Sequence, residues 1–445
     1  MSSVQKPFDT GVWHRLHPLS PLIRAGRVLV GVAVVFGGTL IQNSQDNRNG
    51  EVIRLGVAVI LVALGAISWL VTRWRVEGND LRIETGVLRR SSLRFPLAQV
   101  QAIDIVRPLV ARIFGLSELR LRMGGATGHS GRLAYLTEGH ADAVRAQLLA
   151  IGHGVAAETD ESPERVLISV PVGRLIGSIV IGPAAIFLVV ALTALIITAV
   201  LSPEAAVGIV GSSGAIGLGL AGFLWRRLNS GFNLTVAEAP DGLRVRSGLL
   251  DTTAETIPSG RVQAVRMIEP LLWRPLGWCR LEVDVAGRQR VEGENSQEGH
   301  QLRAVLPVGT RTEADWLLSR ILPDAPVERV RPPLRARWKA PLRYRNLSWG
   351  HNETCAVTTT GRIARVTSWV PLTKVQSLRF VQGPLQRKLQ LATIYLDTAG
   401  RSVHAAIRDR DADEARAQLG ELTLLSRAAR RTISARRAGA MPAEA

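Results

Sequence analysis

The sequence predicts an α+β membrane protein: two transmembrane helical hairpins carrying three domains of bent antiparallel sheet, each closed by a C-terminal helix. Three observations support this. Asp80–Gly125 recurs without a gap as Gly242–Gly287, with a looser third copy around Pro371–Leu396. Four long apolar stretches lie ahead of the first two copies. Each copy runs from period-two alternation, the mark of half-buried strands, into a helical apolar stripe.

The apolar stretches are Val28–Ile41, Leu55–Thr72, Leu175–Leu201 and Ala205–Trp225, all uncharged. A membrane span needs ~20 apolar residues, so they read as two hairpins. Gln42–Gly50 joins the first pair and Ser202-Pro203-Glu204 the second. Arg15, Arg24, Arg27, Arg73, Arg75, Arg174, Arg226 and Arg227 flank the outer ends, which by the positive-inside rule places both termini and all three repeats in the cytoplasm. Pro183 is expected to kink the third span. Gly211, Ala215 and Gly219 form a small-residue row on the fourth, suited to close packing within the bundle or to a dimer seam. The expected organisation is a cytoplasmic N-terminus at 1–21, transmembrane hairpins at 22–73 and 172–226, and repeated domains at 74–152, 227–323 and 346–426. A linker at 153–171, a basic linker at 324–345 and a basic, partly disordered tail at 427–445 complete it.

Within the repeats, Leu81 and Ile83 alternate with Arg82 and Glu84 as Leu243 and Val245 alternate with Arg244 and Arg246. Gly86 and Gly248 mark turns. Pro96 and Pro258 precede a second alternating run, and Leu119-Arg120-Leu121 and Leu281-Glu282-Val283 supply a later strand. The closing helices start at candidate caps Thr137, Thr312 and Asp411. Their apolar stripes are Val144, Leu148 and Ile151; Ala314, Leu317, Leu318 and Ile321; and Ala415, Leu419 and Leu422. Gln101, Gln263 and Gln376 recur inside a strand. A buried amide there ties neighbouring backbone groups together; an exposed one contacts peptide or lipid.

The run Pro96-Leu97-Ala98-Gln99-Val100-Gln101-Ala102-Ile103, followed by Pro108-Leu109 and Gly115-Leu116, resembles the bacterial pleckstrin-homology-like domain. Copy two departs at Ser259 and Val265. Copy three keeps Pro371-Leu372, Val375-Gln376 and Pro384-Leu385 but has Gln390 in place of the glycine. The order hairpin, domain, hairpin, domain, domain is similar to the YdbT-type bacterial membrane proteins. The resemblance implies a PH-like fold, a strongly bent sheet capped by a helix, and no catalytic residue. No phosphoinositide motif matches residue by residue.

Lys and Arg number 55 against 37 Asp and Glu, giving a net charge of +18. Such a balance favours an anionic surface. The eight histidines and two cysteines form no metal-ligand spacing, and Gly124–Gly128 lacks the Lys-Ser/Thr of a P-loop. Asp409, Asp411, Asp413 and Glu414 suit a helix start better than a metal site. No cofactor is expected. Arg329–Arg345 carries seven Lys/Arg and no acid. It reads either as an extended solvated linker or as a membrane-facing strap with Arg335, Arg337, Trp338, Lys339, Arg343 and Tyr344 at the lipid. The functional expectation is a non-enzymatic, multi-pass scaffold in the cell membrane. It would present its domains to anionic lipid, membrane proteins or a second copy of itself, with no nucleic-acid partner. The rival readings are a transporter or an export or stress accessory protein with a polar site between spans, for which Ser178, Thr193 and Ser212-Ser213 are candidates, and an enzyme with a site composed from two repeats.

Overall fold

The computed structural model describes residues 11–18, 20, 72–85, 91–123, 131–153, 165–201, 219–239, 242–258, 260–285, 303–400 and 402–439. The chain divides into two compact units. One comprises residues 1–164 with 250–256, the other 165–249 with 257–445.

In the first unit β1 (His14–Arg15), β2 (Arg73–Glu77), β3 (Asp80–Thr85) and β4 (Ser91–Pro96) form an antiparallel sheet in that order. Alternation decides the inner face: Trp74, Val76, Leu81, Ile83 and Phe95 are buried, while Arg82 and Glu84 pair outside. After a turn at Leu97–Gln99, β5 (Val100–Arg107), β6 (Leu116–Met123) and β7 (Gly131–Thr137) make a second antiparallel set, with the short helix α1 (Leu109–Ile113) between β5 and β6. The closing helix α2 (Glu138–His153) buries Ala141, Val144 and Leu148 in the core shared by both sets of strands. The free side of β5 is filled by residues 252–254 of the second repeat, which pair antiparallel as Thr252↔Arg107, Thr253↔Val106 and Ala254↔Ile105.

In the second unit β8 (Arg165–Ser169) leads to α3 (Val172–Val180), α4 (Pro183–Leu201) and a helix α5 described over 219–231. The chain returns as β9 (Thr235–Ala239), which pairs with β8 and with β10 (Gly242–Ser247). β11 (Thr252–Pro258) is the strand divided between the two units. β12 (Val262–Pro270), β13 (Trp278–Val285) and β14 (Arg303–Thr310) follow, closed by α6 (Arg311–Ile321). The third domain adds β15 (Ser348–His351), β16 (Cys355–Thr360) and β17 (Ala364–Pro371), joined to the previous strands as one sheet in the order β14-β13-β12-β17-β16-β15. Before it, in the basic segment, lies the one-turn helix α7 (Ala336–Lys339). After it come β18 (Val375–Val381), the short helix α8 (Pro384–Lys388), β19 (Leu391–Thr398), β20 (Ala405–Asp411) and the closing helix α9 (Ala412–Gly439). β17 lays Trp369, 2% exposed, into the core of the second domain. A side chain of that size contributes about 3 kcal/mol by burial.

The repeated Pro-Leu has the same position in the two copies that contain it. Pro96 and Pro371 each precede a single helical turn whose leucine, Leu97 or Leu372, is completely buried. A second repeated device precedes β6, β13 and β19. Gly115, Gly277 and Gln390 all have left-handed backbone, with φ of 64°, 64° and 52°. Each donates its N–H three residues back, to Arg112, Arg274 or Arg387. Each carbonyl accepts the N–H that opens the closing helix, from Glu138, Arg311 or Ala412, at 3.0–3.1 Å. One residue conformation thus caps each closing helix. α6 is further capped by Thr310 in a reciprocal box with Glu313, two residues before the Thr312 that the pattern suggests. Asp411 caps α9 by accepting from Asp413 and Glu414.

The helical part corrects the sequence reading. The apolar run Leu175–Leu201 is not one helix: α3 ends at Val180, Ile181 and Gly182 turn the chain, and Pro183 opens α4 instead of kinking a continuous span. The first part of the run covers the second domain. Leu175 and Ser178 are buried, and Arg174 holds Glu313 of α6 at 2.7 Å. Gly177 leaves room for Trp278, whose ring would stand 3.1 Å from any Cβ there. Ser178 and Thr193 donate to carbonyls of their own helices, Leu175 and Val189. α4 leaves Ile186, Phe187, Val190 and Leu192 exposed. Among the described residues no helix is long and apolar enough to cross a membrane. The expectation of an α+β membrane protein on two transmembrane hairpins, and with it the multi-pass location in the cell membrane, is corrected on that ground. The three repeated sheet domains capped by helices stand. Val28–Ile41, nearly all of Leu55–Thr72, most of Ala205–Trp225, Ser212-Ser213, Gly86 and Gly124–Gly128 lie outside the described residues.

Candidate interaction surface

The basic segment 324–345 is laid down on the third domain. Val330 exchanges both backbone hydrogen bonds with Trp349, at 2.7 and 3.1 Å, and so extends the edge of β15. Arg329 reaches Thr359 at 3.3 Å and stacks over Trp369; burial pulls its guanidinium below the usual arginine range. The prolines prevent a long helix, and the single turn of α7 places Ala336 and Ala340 inward, both buried. Arg335 pairs with Asp411 and donates to the Gln390 carbonyl. Lys339 pairs with Asp409, which is 1% exposed and also accepts from Gln386 at 2.7 Å. Asp409 sits at a left-handed bulge, φ 55°, which turns its carboxylate under the segment. Arg410 contacts the Arg331 carbonyl and Glu414. Tyr344 donates to the Pro332 carbonyl at 3.2 Å.

Two faces result. Toward the domain, Arg335 and Lys339 meet the carboxylates of Asp411 and Asp409. Away from it stand Leu334, Trp338 and Leu342, 80%, 82% and 59% exposed. Arg331, Arg337, Arg343 and Arg345 are exposed around them. Of the residues expected at the lipid, the structure leaves Arg337, Trp338 and Arg343 exposed without a carboxylate partner among the described residues of the domain, pairs the exposed Arg335 and the half-buried Lys339 with Asp411 and Asp409, and leaves Tyr344 half-buried against the segment's own backbone. Leu334 and Leu342 escaped the sequence reading. Their spacing of four either side of Trp338 was the available signal.

The motif residues are distributed differently. Pro96 and Pro371 begin the turns described above. Pro258 ends β11. Gln263 is 5% exposed and donates to the Arg261 carbonyl at 3.1 Å, whereas Gln376 is exposed. Gln101 lies in β5, with its side chain outside the described residues. The later Pro-Leu pairs present their leucines to solvent in all three copies: Leu109, Leu271 and Leu385 are 38%, 52% and 50% exposed. A leucine is thus kept outward in all three copies, which periodicity could not reveal.

A shallow crevice beside the segment is lined by Val330, Trp349, Thr359, Arg408 and Arg410 among others. Among the described residues no group of three or more His, Cys, Asp or Glu side chains is placed to hold a metal ion. Cys279 and Cys355 are buried, and burial pushes both thiols up to about 12, which keeps them protonated and unreactive.

A bent sheet closed by one capped helix, repeated along the chain with exposed leucines at equivalent places, defines a tandem array of pleckstrin-homology-type domains. The particular family follows from comparison with family models. The Bacterial PH domain model matches residues 25–151, 175–309 and 330–423, and the chain belongs to that family. No curated protein matches it. Three bacterial PH domains in one chain make a repeated binding or scaffold module.

Proposed function

We infer that the protein is a non-enzymatic scaffold whose third domain docks on an anionic lipid surface through the outer face of residues 331–345. The observation that carries this reading is the sorting of the segment's side chains. The two cations nearest the domain are satisfied by Asp409 and Asp411, while Leu334, Trp338 and Leu342 face outward among four exposed arginines. An aromatic flanked by leucines suits the headgroup boundary, and each basic side chain near an anionic leaflet contributes about 1 kcal/mol. Holding the segment in place beforehand lowers the ordering cost of docking. Three domains on one chain add avidity to weak individual contacts.

The test is co-sedimentation of the full chain with vesicles of phosphatidylcholine alone or with phosphatidylglycerol. Binding to the anionic vesicles is expected and should fall with salt, since screening acts over about 8–10 Å near physiological ionic strength. Arg337→Gln with Arg343→Gln removes about 2 kcal/mol, or roughly thirtyfold in affinity. Trp338→Ala should weaken binding further. Equal binding to neutral vesicles, or no loss in these variants, refutes the reading and directs attention to a protein partner at the same face.

A further inference from the structure

The strands that join successive repeats do so in one register. Ile105 of β5 faces Ala254 of β11. Moving each residue to its counterpart in the next repeat, by the alignments that put Val100 on Val262 and Pro258 on Pro371, gives Met267 facing Thr367. That pair is present between β12 and β17. So the first strand after the repeated proline (Pro96, Pro258) of one repeat twice receives the last strand before that proline (Pro258, Pro371) from the next repeat, without a slip. A slip of one residue would reverse every side chain between the two faces. Identical registers at two sites therefore mark a built joint.

Among the described residues one half-joint remains open at each end of the series. β18, the counterpart of β5 and β12, is the edge of the order β18-β19-β20. β4, the counterpart of β11 and β17, is the edge of β1-β2-β3-β4. Exposure follows. Asp104, Val106 and Ala264 are buried at the filled joints, whereas their counterparts Arg379, Val381 and Ser377 of β18 are exposed. In β4, Ser91, Ser92, Leu93 and Arg94 are all exposed.

The geometry points to a head-to-tail contact in which β4 of one copy adds to β18 of a second copy of this chain. The shared register assigns the pairs: Leu378 opposite Arg94, Arg379 opposite Leu93, Phe380 opposite Ser92 and Val381 opposite Ser91. Strand addition to an open edge draws its affinity from main-chain hydrogen bonds, and an edge without a partner is a template for pairing. The charges permit it. Arg379 is held by Asp397 at 2.6 Å and Arg82 by Glu84 at 3.0 Å. Arg94, where the filled joints carry Thr256 and Trp369, faces leucine and can keep its head in solvent. A heterologous contact of this kind closes into a ring or extends into a chain. It involves neither the outer face of residues 331–345 nor lipid, so it stands or falls separately.

The test uses two single variants of the full chain, Ser92→Cys and Phe380→Cys, mixed and oxidised. Directly opposite Cβ atoms in a sheet lie about 4.5–5.5 Å apart, within reach of a disulfide after slight adjustment. The native thiols, pushed up to about 12, stay silent. The expected product is a disulfide dimer joining position 92 of one chain to 380 of the other, formed faster than with Leu93→Cys in place of Ser92→Cys. Light scattering on the unmodified chain covers any loss of folding in the Phe380 variant. The mass should be at least twofold that of one chain and should fall to one chain with Val381→Lys, a charge on the open edge. A single-chain mass throughout, no disulfide between positions 92 and 380 in the mixture, or equal rates in both registers overturns the contact.

Discussion

The left-handed residue before β6, β13 and β19 permits a matched exchange. Gly277 and Gln390 have φ of 64° and 52° and make the same two backbone hydrogen bonds, so they differ chiefly in carrying a side chain. Left-handed backbone costs a residue with Cβ about 1–2 kcal/mol. Glycine loses more chain entropy on folding, about 0.5–1 kcal/mol. The difference leaves about 0.5–1 kcal/mol in favour of glycine. The side-chain hydrogen bond of Gln390 to the Arg387 carbonyl is long, 3.4 Å, and exposed, and changes this little. Nothing lies within 4 Å of a Cβ built on Gly277, so no steric term intrudes. Gln390→Gly should therefore stabilise the third domain, and Gly277→Gln should destabilise the second by a similar amount. Thermal unfolding of a chain with two units need not be two-state, so the suitable assay is hydrogen exchange read peptide by peptide. Amides of β19 and the first turns of α9 should exchange about two- to fivefold more slowly in Gln390→Gly, and those of β13 and α6 faster by the same factor in Gly277→Gln. Acceleration in Gln390→Gly, or no change in Gly277→Gln, would show that the repeated conformation does not set the cap and refute the argument.

Two further outcomes are expected. Lys339→Gln leaves the buried Asp409 carboxylate without its cation and should cost the third domain about 2–3 kcal/mol, while Arg337→Gln, on the outer face, should stay within about 0.5 kcal/mol; denaturant midpoints followed by fluorescence compare the two. Glu313 is raised by partial burial but lowered more by Arg174 and the Thr310 cap, so its folded carboxyl titrates below its usual value. Its contribution is therefore present above about pH 4.3, the unfolded value, and is lost as pH falls through the lower folded value. Glu313→Gln should cost about 1 kcal/mol near neutrality, and the gap to the unmodified chain should close with acidification; a gap independent of pH counts against this account.

Much of the architecture was legible because it repeats. Period-two alternation found Leu81, Ile83 and Val245, and their inward faces follow from the pleat. The apolar stripes of the closing helices face the cores as their spacing requires, with Ile151, Ile321 and Leu419 at their margins partly buried. The helix break at Ile181-Gly182 was read as a kink because hydropathy alone does not distinguish an apolar residue facing a neighbouring domain from one in a span; only the contacts of Leu175 and Gly177 separate them. The outer face was half legible. Seven bases without an acid signal an anionic partner, but nothing local indicates that Arg335 and Lys339 turn to acids 76 and 70 residues later, at a left-handed bulge no motif announces. Pairing between repeats was hidden for a related reason. Repeats align each copy with itself, whereas β5 and β12 take partners from the copy that follows.

That borrowing sets an order of events during synthesis. β5 cannot fill its outer edge until Ala254 has left the ribosome, some 130 residues after β6 is complete. At ~5–20 residues per second the interval is roughly 6–26 seconds, far longer than the microseconds a hairpin needs to form. A nascent first repeat must therefore persist with a bare edge, and a chain stopped before residue 252 never covers it. Excision of single repeats by sequence boundaries would expose the same edge, so soluble fragments should be cut after β11 or β17, carrying the borrowed strand with the domain it completes.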